Sequence, residues 1–252
     1  MENLKDYLPE NLKGKRILIS GGTTGIGRAT AILLASVGAR VMIFGRSPEP
    51  LEETLQEIRS LEGAGECFGI TADVAHSDEI ERIFSEADSQ LGGLDIMINN
   101  AALAFQGISD GNYSDWQYIV QTNLLGYMAC AHEAIKRLEA NGGGHIVNIG
   151  SMSADVREEG SSVYVATKSA IQGFSEALRK EVNKKGIKVT LIEPGAVGTD
   201  MQPSSAEEQR ENIEKLEMLK AEDIAMSVLY CLAQPKRCDV VDLKIRPHLQ
   251  II

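Results

Sequence analysis

The sequence is short of basic charge, of long apolar runs and of any leading hydrophobic segment. Its 252 residues carry 25 basic against 36 acidic side chains, a formal net charge of −11. This balance opposes nucleic-acid binding, for which a basic surface is expected, and docking on anionic lipid. No apolar run approaches the ~18 residues of a transmembrane helix, and residues 1–9 are too mixed and charged for a signal peptide. We therefore expect a cytoplasmic protein with neither nucleic-acid nor membrane partners.

The cysteines are few and scattered along the chain. Cys67, Cys130, Cys231 and Cys238 form no C-x-x-C pair and have no histidine cluster beside them. They are predicted to be reduced thiols rather than zinc ligands, so no metal site is expected. Internal repeats, low-complexity tracts and a linker rich in proline, glycine and serine are also missing. Residues 1–252 are therefore predicted to form a single domain, a size that one α/β domain commonly reaches.

Short apolar runs with strand character alternate with longer helical patterns. Strands are predicted at 16–20, 40–44, 67–71, 95–98, 145–149, 188–192 and 239–245. Helices are predicted at 26–37, 51–61, 78–91, 115–138, 161–184 and 221–232. The nearly continuous apolar character of most strands is typical of parallel strands buried on both faces. The alternation predicts an α/β fold with one doubly wound, parallel, seven-stranded sheet and helices on both faces.

One long segment, residues 195–219, breaks this rhythm between the sixth strand and the last helix. It contains Pro203, Ser204 and Ser205, and then a charged amphipathic stretch. Because it leaves the carboxyl end of a strand, we interpret it as a candidate active-site lid.

A glycine-rich turn follows the first predicted strand directly. It opens the first helix and reads Ser20-Gly21-Gly22-Thr23-Thr24-Gly25-Ile26-Gly27. In a βαβ unit, the first glycine permits a sharp turn, the second lets backbone amides approach a pyrophosphate, and the third lets the helix pack on the strand. The helix N-terminus adds free N–H groups and a positive partial charge. The turn therefore favours dinucleotide binding, with a purely structural turn as the alternative.

The end of the second strand indicates which dinucleotide is bound. Folds of this kind that prefer NAD usually place Asp or Glu there, to hold the ribose 2′-hydroxyl. This sequence reads Phe44-Gly45-Arg46-Ser47 instead. A guanidinium suits a 2′-phosphate, so we predict NADP(H) in preference to NAD(H), with Arg46 and Ser47 beside the phosphate. The alternative is that Arg46 is a solvated loop charge.

Tyr164 and Lys168 lie four residues apart in a helical pattern, and therefore on one helix face. The pKa of a free tyrosine is about 10, and an adjacent ammonium favours the phenolate. Tyr164 is thus a candidate to give a proton to a carbonyl or to take one from an alcohol. Ser151 follows the fifth predicted strand, at the edge where open α/β sheets bind ligands. Alone, such a Tyr and Lys would be an ordinary surface pair, but the glycine turn and Ser151 favour a catalytic set.

These residues resemble the motifs of the short-chain dehydrogenase/reductase family, and the resemblance extends over nearly the whole chain. The matching segments, in the family's order, are 20–27, Asp73-Val74, Asn99-Asn100-Ala101, Asn123, Ser151, Tyr164 with Lys168, Pro194-Gly195 and Thr199. The resemblance implies a Rossmann fold and an NAD(P)-dependent oxidoreductase acting on a secondary alcohol or ketone. The tail at 239–250, with Pro247 and Gln250, is similar to that of NADP-dependent 3-hydroxy acid and serine dehydrogenases.

The resemblance also implies that Asn123, Ser151, Tyr164 and Lys168 form a catalytic tetrad. Tyr164 would be the general acid/base, and Ser151 would orient and polarise the substrate oxygen. Lys168 would bind the nicotinamide ribose and lower the pKa of Tyr164. Asn123 would hold a water molecule in a proton relay to Lys168.

Further residues are placed around the cofactor by the same resemblance. Asp73-Val74 would lie beside the adenine and Asn100-Ala101 along its ribose. Val197 and Thr199 would hold the carboxamide, so that the pro-S hydride is transferred. The predicted cofactor site comprises Gly21, Thr23, Thr24, Gly25, Ile26, Gly27, Arg46, Ser47, Asp73, Val74, Asn100, Ala101, Ala102, Tyr164, Lys168, Pro194, Gly195, Val197 and Thr199.

Two positions of that site depart from the family's pattern. Ala102 stands where glycine is usual, and its methyl group is expected to crowd the local turn without abolishing cofactor binding. Thr24 stands where many NADP enzymes carry a basic residue, so the NADP prediction depends on Arg46 with help from Ser47.

The substrate pocket is expected between residues 103–106, residues 152–162 and the segment after Gly195. Arg157 is a candidate clamp for a substrate carboxylate, which would fit a hydroxy acid. The alternative is a solvated arginine paired with Glu158 or Glu159.

The long helices predicted at 115–138 and 161–184 resemble a pair that packs across a two-fold axis in the family, so we expect a homodimer or homotetramer. The leading functional hypothesis is an NADP-dependent oxidoreductase. One alternative is a catalytically idle NADP(H)-sensing protein on the same fold. Another is a methyltransferase that binds S-adenosylmethionine at the glycine turn, but Tyr164 and Lys168 would have no role there.

Overall fold

A parallel sheet of seven strands lies at the centre of a computed structural model that describes residues 10–250. The strands are β1 (Arg16–Ser20), β2 (Arg40–Gly45), β3 (Cys67–Thr71), β4 (Ile96–Asn99), β5 (Gly144–Ile149), β6 (Ile187–Pro194) and β7 (Asp242–Ile245). Their order across the sheet is β3-β2-β1-β4-β5-β6-β7, and neighbouring strands are parallel. Ile17, Leu18 and Ile19 of β1 are fully buried because helices cover both faces of the sheet.

Helices pack on both faces of this sheet. They are α1 (Gly25–Ser36), α2 (Pro48–Ser60), α3 (Ser77–Leu91), α4 (Tyr113–Val120), α5 (Gly126–Ala140), α6 (Ser153–Val156), α7 (Ser162–Val182), α8 (Ala206–Glu214) and α9 (Ala221–Leu232). On one face, α1 and α9 contribute Leu34 and Val228 to the core. On the other, α3 and α5 contribute Phe84 and Leu138. The α/β class and the doubly wound parallel sheet that the sequence predicts are confirmed.

The structure corrects the long helix predicted at 115–138. In its place, α4 and α5 are joined end to end by a π turn at Gln121–Leu125. The helix begins two residues earlier than predicted because Asn112 and Asp115 form a capping box. A π turn admits an extra residue into a helix and is frequent at functional sites, and this one carries Asn123.

The last strand is shorter than predicted and begins at Asp242 rather than at 239. The preceding residues turn around Lys188 instead of joining the sheet. Lys188 Nζ donates to the carbonyl oxygens of Pro235 and Cys238, at 2.8 and 2.6 Å. Because Lys188 belongs to β6, these bonds hold the preceding residues beside that strand, and regular strand pairing begins at Asp242.

The strand order reverses between β1 and β4, the kind of position at which open α/β sheets bind ligands. The glycine turn leaves the carboxyl end of β1, and Ser151 follows the carboxyl end of β5. Because the strands are parallel, these ends lie along one edge of the sheet. Segment 195–219 leaves the same edge after β6, contains α8, and returns through an isolated bridge between Val197 and Leu219. This is the position expected of the predicted lid.

Between residues 10 and 250, the helices are all too short or too polar to cross a membrane. The prediction that residues 1–9 are not a signal peptide lies outside the described residues. So does the assignment of residues 1–9 and 251–252 to the single domain.

An ion pair joins the amino ends of β1 and β4. Arg16 donates from Nε and Nη2 to the two carboxylate oxygens of Asp95, each at 2.9 Å, and its backbone N–H donates to the same group at 2.9 Å. Burial favours the neutral carboxyl, but these hydrogen bonds outweigh it and hold the pKa of Asp95 below its usual range. The pair therefore stabilises the two strands that flank the reversal of strand order.

Replacing Asp95 by Asn is expected to lower the free energy of unfolding by about 1–3 kcal/mol at neutral pH, because Arg16 loses a charged partner. Since the folded pKa of Asp95 is lowered, this stabilisation is present above the unfolded pKa of about 3.9 and is lost as the pH falls through the folded value. Denaturant unfolding at neutral and acidic pH measures the difference in free energy of unfolding between the wild type and Asp95→Asn, and this difference should become smaller in acid. The control Glu52→Gln removes an exposed pair with Arg59 and should change stability by less than about 0.5 kcal/mol. Equal losses in both variants would contradict the assignment.

Candidate active site

The glycine turn brings backbone segments too close together for side chains. Gly21 and Gly25 have positive φ angles of 61° and 51°, a region that favours glycine. A Cβ atom on Gly27 would overlap the carbonyl oxygen of Gly21, so the first turn of α1 packs directly on the end of β1. A Cβ atom on Gly21 would lie 2.8 Å from the Cα atom of Ala101. The amides that open α1 are thus held at the sheet edge, where helix N-termini bind anions.

Asn100 and Ser20 join this turn to the loop after β4. The side-chain amide of Asn100 donates to the carbonyl oxygens of Ser20 and Gly21, both at 3.0 Å. The Ser20 hydroxyl accepts hydrogen bonds from the backbone N–H groups of Asn100 and Ala101, at 2.9 and 3.0 Å. The two backbone segments on either side of the strand-order reversal are therefore fixed to each other.

One cleft runs along this edge and encloses about 1150 Å³, including space open to solvent. Within the described chain, its wall includes Ser151 and every predicted cofactor residue except Gly27 and Ser47. The wall also includes residues outside the predicted cofactor and catalytic sets, namely Phe44, Gly45, Ala72, Leu103, Thr122, Ile149, Gly150, Asp200, Met201 and Gln202. Several of these lie at or just after the carboxyl end of a strand, and that position is the sequence signal that would have found them.

At one end of the cleft, Arg46 is held by a tyrosine that the sequence analysis missed. Arg46 Nη1 donates to the hydroxyl of Tyr118 on α4 at 2.9 Å, and that hydroxyl donates to Asp73 Oδ2 at 2.6 Å. Burial and the bond to Asp73 raise the pKa of Tyr118, although the charge of Arg46 opposes the rise. Ser47 precedes α2 and lies outside the cleft wall. Of the two residues predicted beside a 2′-phosphate, only Arg46 therefore lines the cleft.

At the other end of the cleft, α7 carries Tyr164 and Lys168. Lys168 is only 2% exposed, and its Nζ donates to the carbonyl oxygen of Ile149 at 3.0 Å. The same Nζ lies 5.7 Å from the centre of the Tyr164 ring. Burial lowers the pKa of Lys168 to about 8 and raises the pKa of Tyr164, a rise that the Ser151 hydroxyl opposes. The structure thus brings Ser151, Tyr164 and Lys168 together around one buried charge.

Asn123 is fully buried in the π turn, beside the cleft rather than in its wall. Its Oδ1 accepts from the backbone N–H of Leu103 at 2.8 Å, and its Nδ2 donates to the Leu103 carbonyl oxygen at 2.9 Å. Nδ2 also lies 3.3 Å from Thr167 Oγ1, one residue before Lys168. Asn123 therefore ties the loop after β4 to α7, and its water relay to Lys168 stays a prediction.

The predicted carboxylate clamp has little support. Arg157 is exposed at the end of α6 and has a left-handed φ of 58°. Its Nε donates to the carbonyl oxygen of Ala154 at 3.3 Å, and it lies outside the cleft wall. The geometry favours a solvated arginine. Leu103 and Met201 do line the cleft, as the predicted substrate walls imply.

The C-terminal tail, which the sequence analysis noted at 239–250, contacts the turn after β6. Gln250 Oε1 accepts from the backbone N–H of Ala196 at 3.1 Å. The N–H of Gly195 donates to the carbonyl oxygen of Ile245 at 2.7 Å. The chain end thus supports Pro194-Gly195 from outside the cleft.

Most of the chain matches one family of known proteins. Residues 15–210 match the family described as short chain dehydrogenase, so the class is that of NAD(P)-dependent oxidoreductases. The chain belongs to the short-chain dehydrogenase/reductase family, as its motifs predict.

The relatives match over almost their whole length. An uncharacterized oxidoreductase of Staphylococcus aureus is 32% identical over 237 residues, 94% of this chain and 98% of that protein. A solved short-chain dehydrogenase/reductase from Serratia marcescens has a TM-score of 0.84 and 30% identity, covering 94% of this chain and 98% of its own. A short chain dehydrogenase from Burkholderia cenocepacia, solved in complex with NADP, has a TM-score of 0.83 and 29% identity with the same coverage.

Asn123→Ala is expected to lower the free energy of unfolding by roughly 2 kcal/mol, because the N–H and C=O groups of Leu103 lose their partners. Thr122→Val is the matched control. Thr122 Oγ1 is buried without a hydrogen-bond partner in the described part of the chain, so its loss should cost less than about 0.5 kcal/mol. Denaturant unfolding of the cofactor-free protein measures both. A Thr122→Val loss as large as that of Asn123→Ala would contradict these contacts.

Proposed function

We propose that this protein transfers a hydride between NADP(H) and a secondary alcohol or its ketone. One observation carries the proposal: Ser151, Tyr164 and Lys168 line the same cleft as the glycine turn and Arg46. A proton donor and a buried cation therefore stand at one end of a cleft whose other end suits a phosphorylated ribose.

The chemistry of the cleft fits a nicotinamide dinucleotide. The amides that open α1 suit its pyrophosphate. The Lys168 ammonium donates to Ile149 and, with three N–H groups, can also donate to ribose hydroxyls. Val197 and Thr199 line the wall after β6, where we place the carboxamide. When bound, the nicotinamide supplies the hydride in reduction and accepts it in oxidation.

Tyr164 is the proposed general acid/base. Because burial raises its pKa, the hydroxyl is protonated near neutral pH and can give its proton to a carbonyl oxygen. The nearby charge of Lys168 stabilises the phenolate that remains. Ser151 donates a hydrogen bond to the same carbonyl oxygen and so polarises it. In oxidation the phenolate takes the proton from the alcohol.

Asn123 completes the proposed tetrad. Its contacts with Leu103 and Thr167 support the role, because they hold the π turn against α7 next to Lys168. We keep the water relay from Asn123 to Lys168 as part of the proposal.

NADP(H) is proposed over NAD(H) because the end of β2 offers a cation and its sequence has no carboxylate there. Tyr118 fixes one nitrogen of Arg46, so the other N–H groups are available to a 2′-phosphate. Ser47, the residue just before α2, is proposed to lie beside the same 2′-phosphate. The Burkholderia cenocepacia relative was solved with NADP, which supports the same cofactor here.

For the substrate we propose a small or medium secondary alcohol and its ketone. Leu103 and Met201 give the cleft near Tyr164 an apolar, adaptable wall. With Arg157 outside that wall, neutral substrates are favoured over hydroxy acids.

A homodimer or homotetramer in the cytoplasm completes the proposal. Leu125 and Met128, where the π turn meets α5, are 51% and 37% exposed. A subunit interface would bury such apolar side chains. The four cysteines are free thiols, which is usual for proteins of the reducing cytoplasm.

In Tyr164→Phe, carbonyl reduction with NADPH is expected to fall by ~10²–10⁴, while NADPH binding, followed by cofactor fluorescence, stays near the wild-type value. The control Tyr230→Phe removes the hydroxyl of a tyrosine that is 56% exposed on α9 and should change neither quantity. Undiminished reduction by Tyr164→Phe would exclude this residue as the acid. NADPH binding without turnover of any ketone by the wild type would favour the sensing alternative.

Arg46→Ala should weaken NADPH binding by about 10-fold or more, the loss of one charge-assisted contact, and leave NADH binding nearly unchanged. Tyr118→Phe should act in the same direction but less, because Arg46 loses its anchor. Arg59→Ala on α2, which loses contacts with Glu52 and Cys67 and lies outside the cleft wall, is the control. Titrations of the wild type and the three variants with NADPH and NADH measure the eight dissociation constants. Tighter binding of NADH than of NADPH by the wild type would overturn the preference.

A further inference from the structure

Glu193, at the end of β6, is a buried carboxyl that the proposed mechanism does not use. It is 0% exposed. Within residues 10–250 neither of its oxygens has a hydrogen bond of normal geometry, although the Gln172 side chain lies near enough to lower its pKa. Lys244 Nζ on β7 lies 3.6 Å from Glu193 Oε2, and the two residues are register partners in the sheet. A buried carboxylate with so little compensation is costly, so its presence calls for a physical reason.

The carboxyl group lies directly behind the catalytic segment. A Cβ atom on Gly150 would be 3.1 Å from Glu193 Cγ and 3.4 Å from its Oε1. Gly150 stands between Ile149, whose carbonyl oxygen holds Lys168, and Ser151. A Cβ atom at position 150 would also lie 2.9 Å from Leu191 Cδ1, so a larger residue would push against both side chains and glycine lets them lie close to this backbone.

A chain of polar contacts runs from Glu193 back to α7. Lys244 pairs with Glu193 and also with Asp155 of α6, the short helix that follows Ser151. Gln172 Nε2 donates to Asp155 Oδ1 at 3.0 Å. Gln172 lies four residues after Lys168, on the same face of α7. The chain therefore links the elements that carry Ser151, Lys168 and the turn after β6.

The charges around Glu193 come from three neighbouring elements. Lys244 and Asp242 belong to β7, Asp155 to α6 and Lys168 to α7, while Arg157 acts on Asp155. Burial and the charge of Asp242 raise the pKa of Glu193 to about 7. The negative charge of Glu193 in turn raises the pKa of Lys168 against the effect of burial.

We propose that Glu193 is a positioning residue for the active site, which with Lys244 fixes the backbone under Ser151 and supplies the buried negative charge that keeps Lys168 protonated. This inference rests on the role of Lys168 in the proposed function. A carboxylate behind Gly150 can act on Lys168 without occupying the cleft, so cofactor and substrate have free access.

The first test is the pH dependence of kcat/KM for ketone reduction in Glu193→Gln, measured with NADPH from about pH 6 to about pH 10. Removing the negative charge should move the alkaline limb to lower pH by about 0.5 or more, because Lys168 loses its proton more readily. Glu181→Gln, an exposed change of equal charge on α7, is the control and should leave the limb in place. A merely structural Glu193 would change the height of the profile and not its position.

The second test needs no turnover. In the cofactor-free protein, thermal unfolding of Glu193→Gln, Lys244→Met and the double variant forms a double-mutant cycle. Lys244→Met alone should lower Tm, more at alkaline than at acidic pH, and the added Glu193→Gln should restore part of the loss. Additive effects together with an unmoved alkaline limb would overturn the inference. If the wild type reduces no ketone, the proposed function fails, and the cycle alone decides whether Glu193 and Lys244 act as a unit.

Discussion

The cleft depends on the contact between the backbone of the glycine turn and the loop after β4. At Gly21 and Gly27 no side chain fits into this contact, and Ser20 and Asn100 add hydrogen bonds across it. Both segments leave neighbouring parallel strands where the strand order reverses. The first turn of α1 and the loop after β4 therefore form one rigid unit. Segments at the cleft entrance, such as residues 195–219, can move or vary without loosening it.

The burial of the Lys168 ammonium is the second constraint. A charge inside a protein is tolerated only among polar partners, and the end of β5 provides them. The carbonyl oxygen of Ile149 accepts from Lys168 at 3.0 Å and from the hydroxyl of Tyr127 at 3.1 Å. The rings of Tyr127 and Tyr164 stand 5.8 and 5.7 Å from the ammonium. The end of β5 thus places a buried cation next to a titratable phenol, and groups with perturbed pKa values of this kind cluster at functional sites.

Sequence reasoning worked where a constraint is local. β1 was predictable to the residue because a parallel strand covered on both faces leaves a continuous apolar run with polar ends. The bounds of β3 were also predicted correctly, although it is an edge strand with alternating burial. The π turn was not, because the apolar pattern over 115–138 runs through it unbroken. Contacts between residues distant in the chain could not be predicted either. Tyr118 and Arg46 are 72 positions apart, and no sequence motif marks their contact. The sequence left Arg157 open between a carboxylate clamp and a solvated arginine, because the left-handed residue that ends α6 after a single turn leaves no trace in the pattern.

The proposed catalytic residues and the segment expected to contact the substrate lie on different parts of the chain. The proposed tetrad stands on the sheet edge, the π turn and α7, whereas α8, described over its full length, has no buried residue. Gln209 of α8 donates to the backbone of Thr199 and Ser204 within the same segment, and Leu216 accepts from the backbone N–H of Leu249. A segment with little buried surface opens at small free-energy cost and can vary without disturbing the cleft. In the proposed mechanism the tetrad moves a proton alongside the hydride and does not select the substrate. We therefore expect substrate choice to depend on residues 200–202, where the same segment enters the cleft wall.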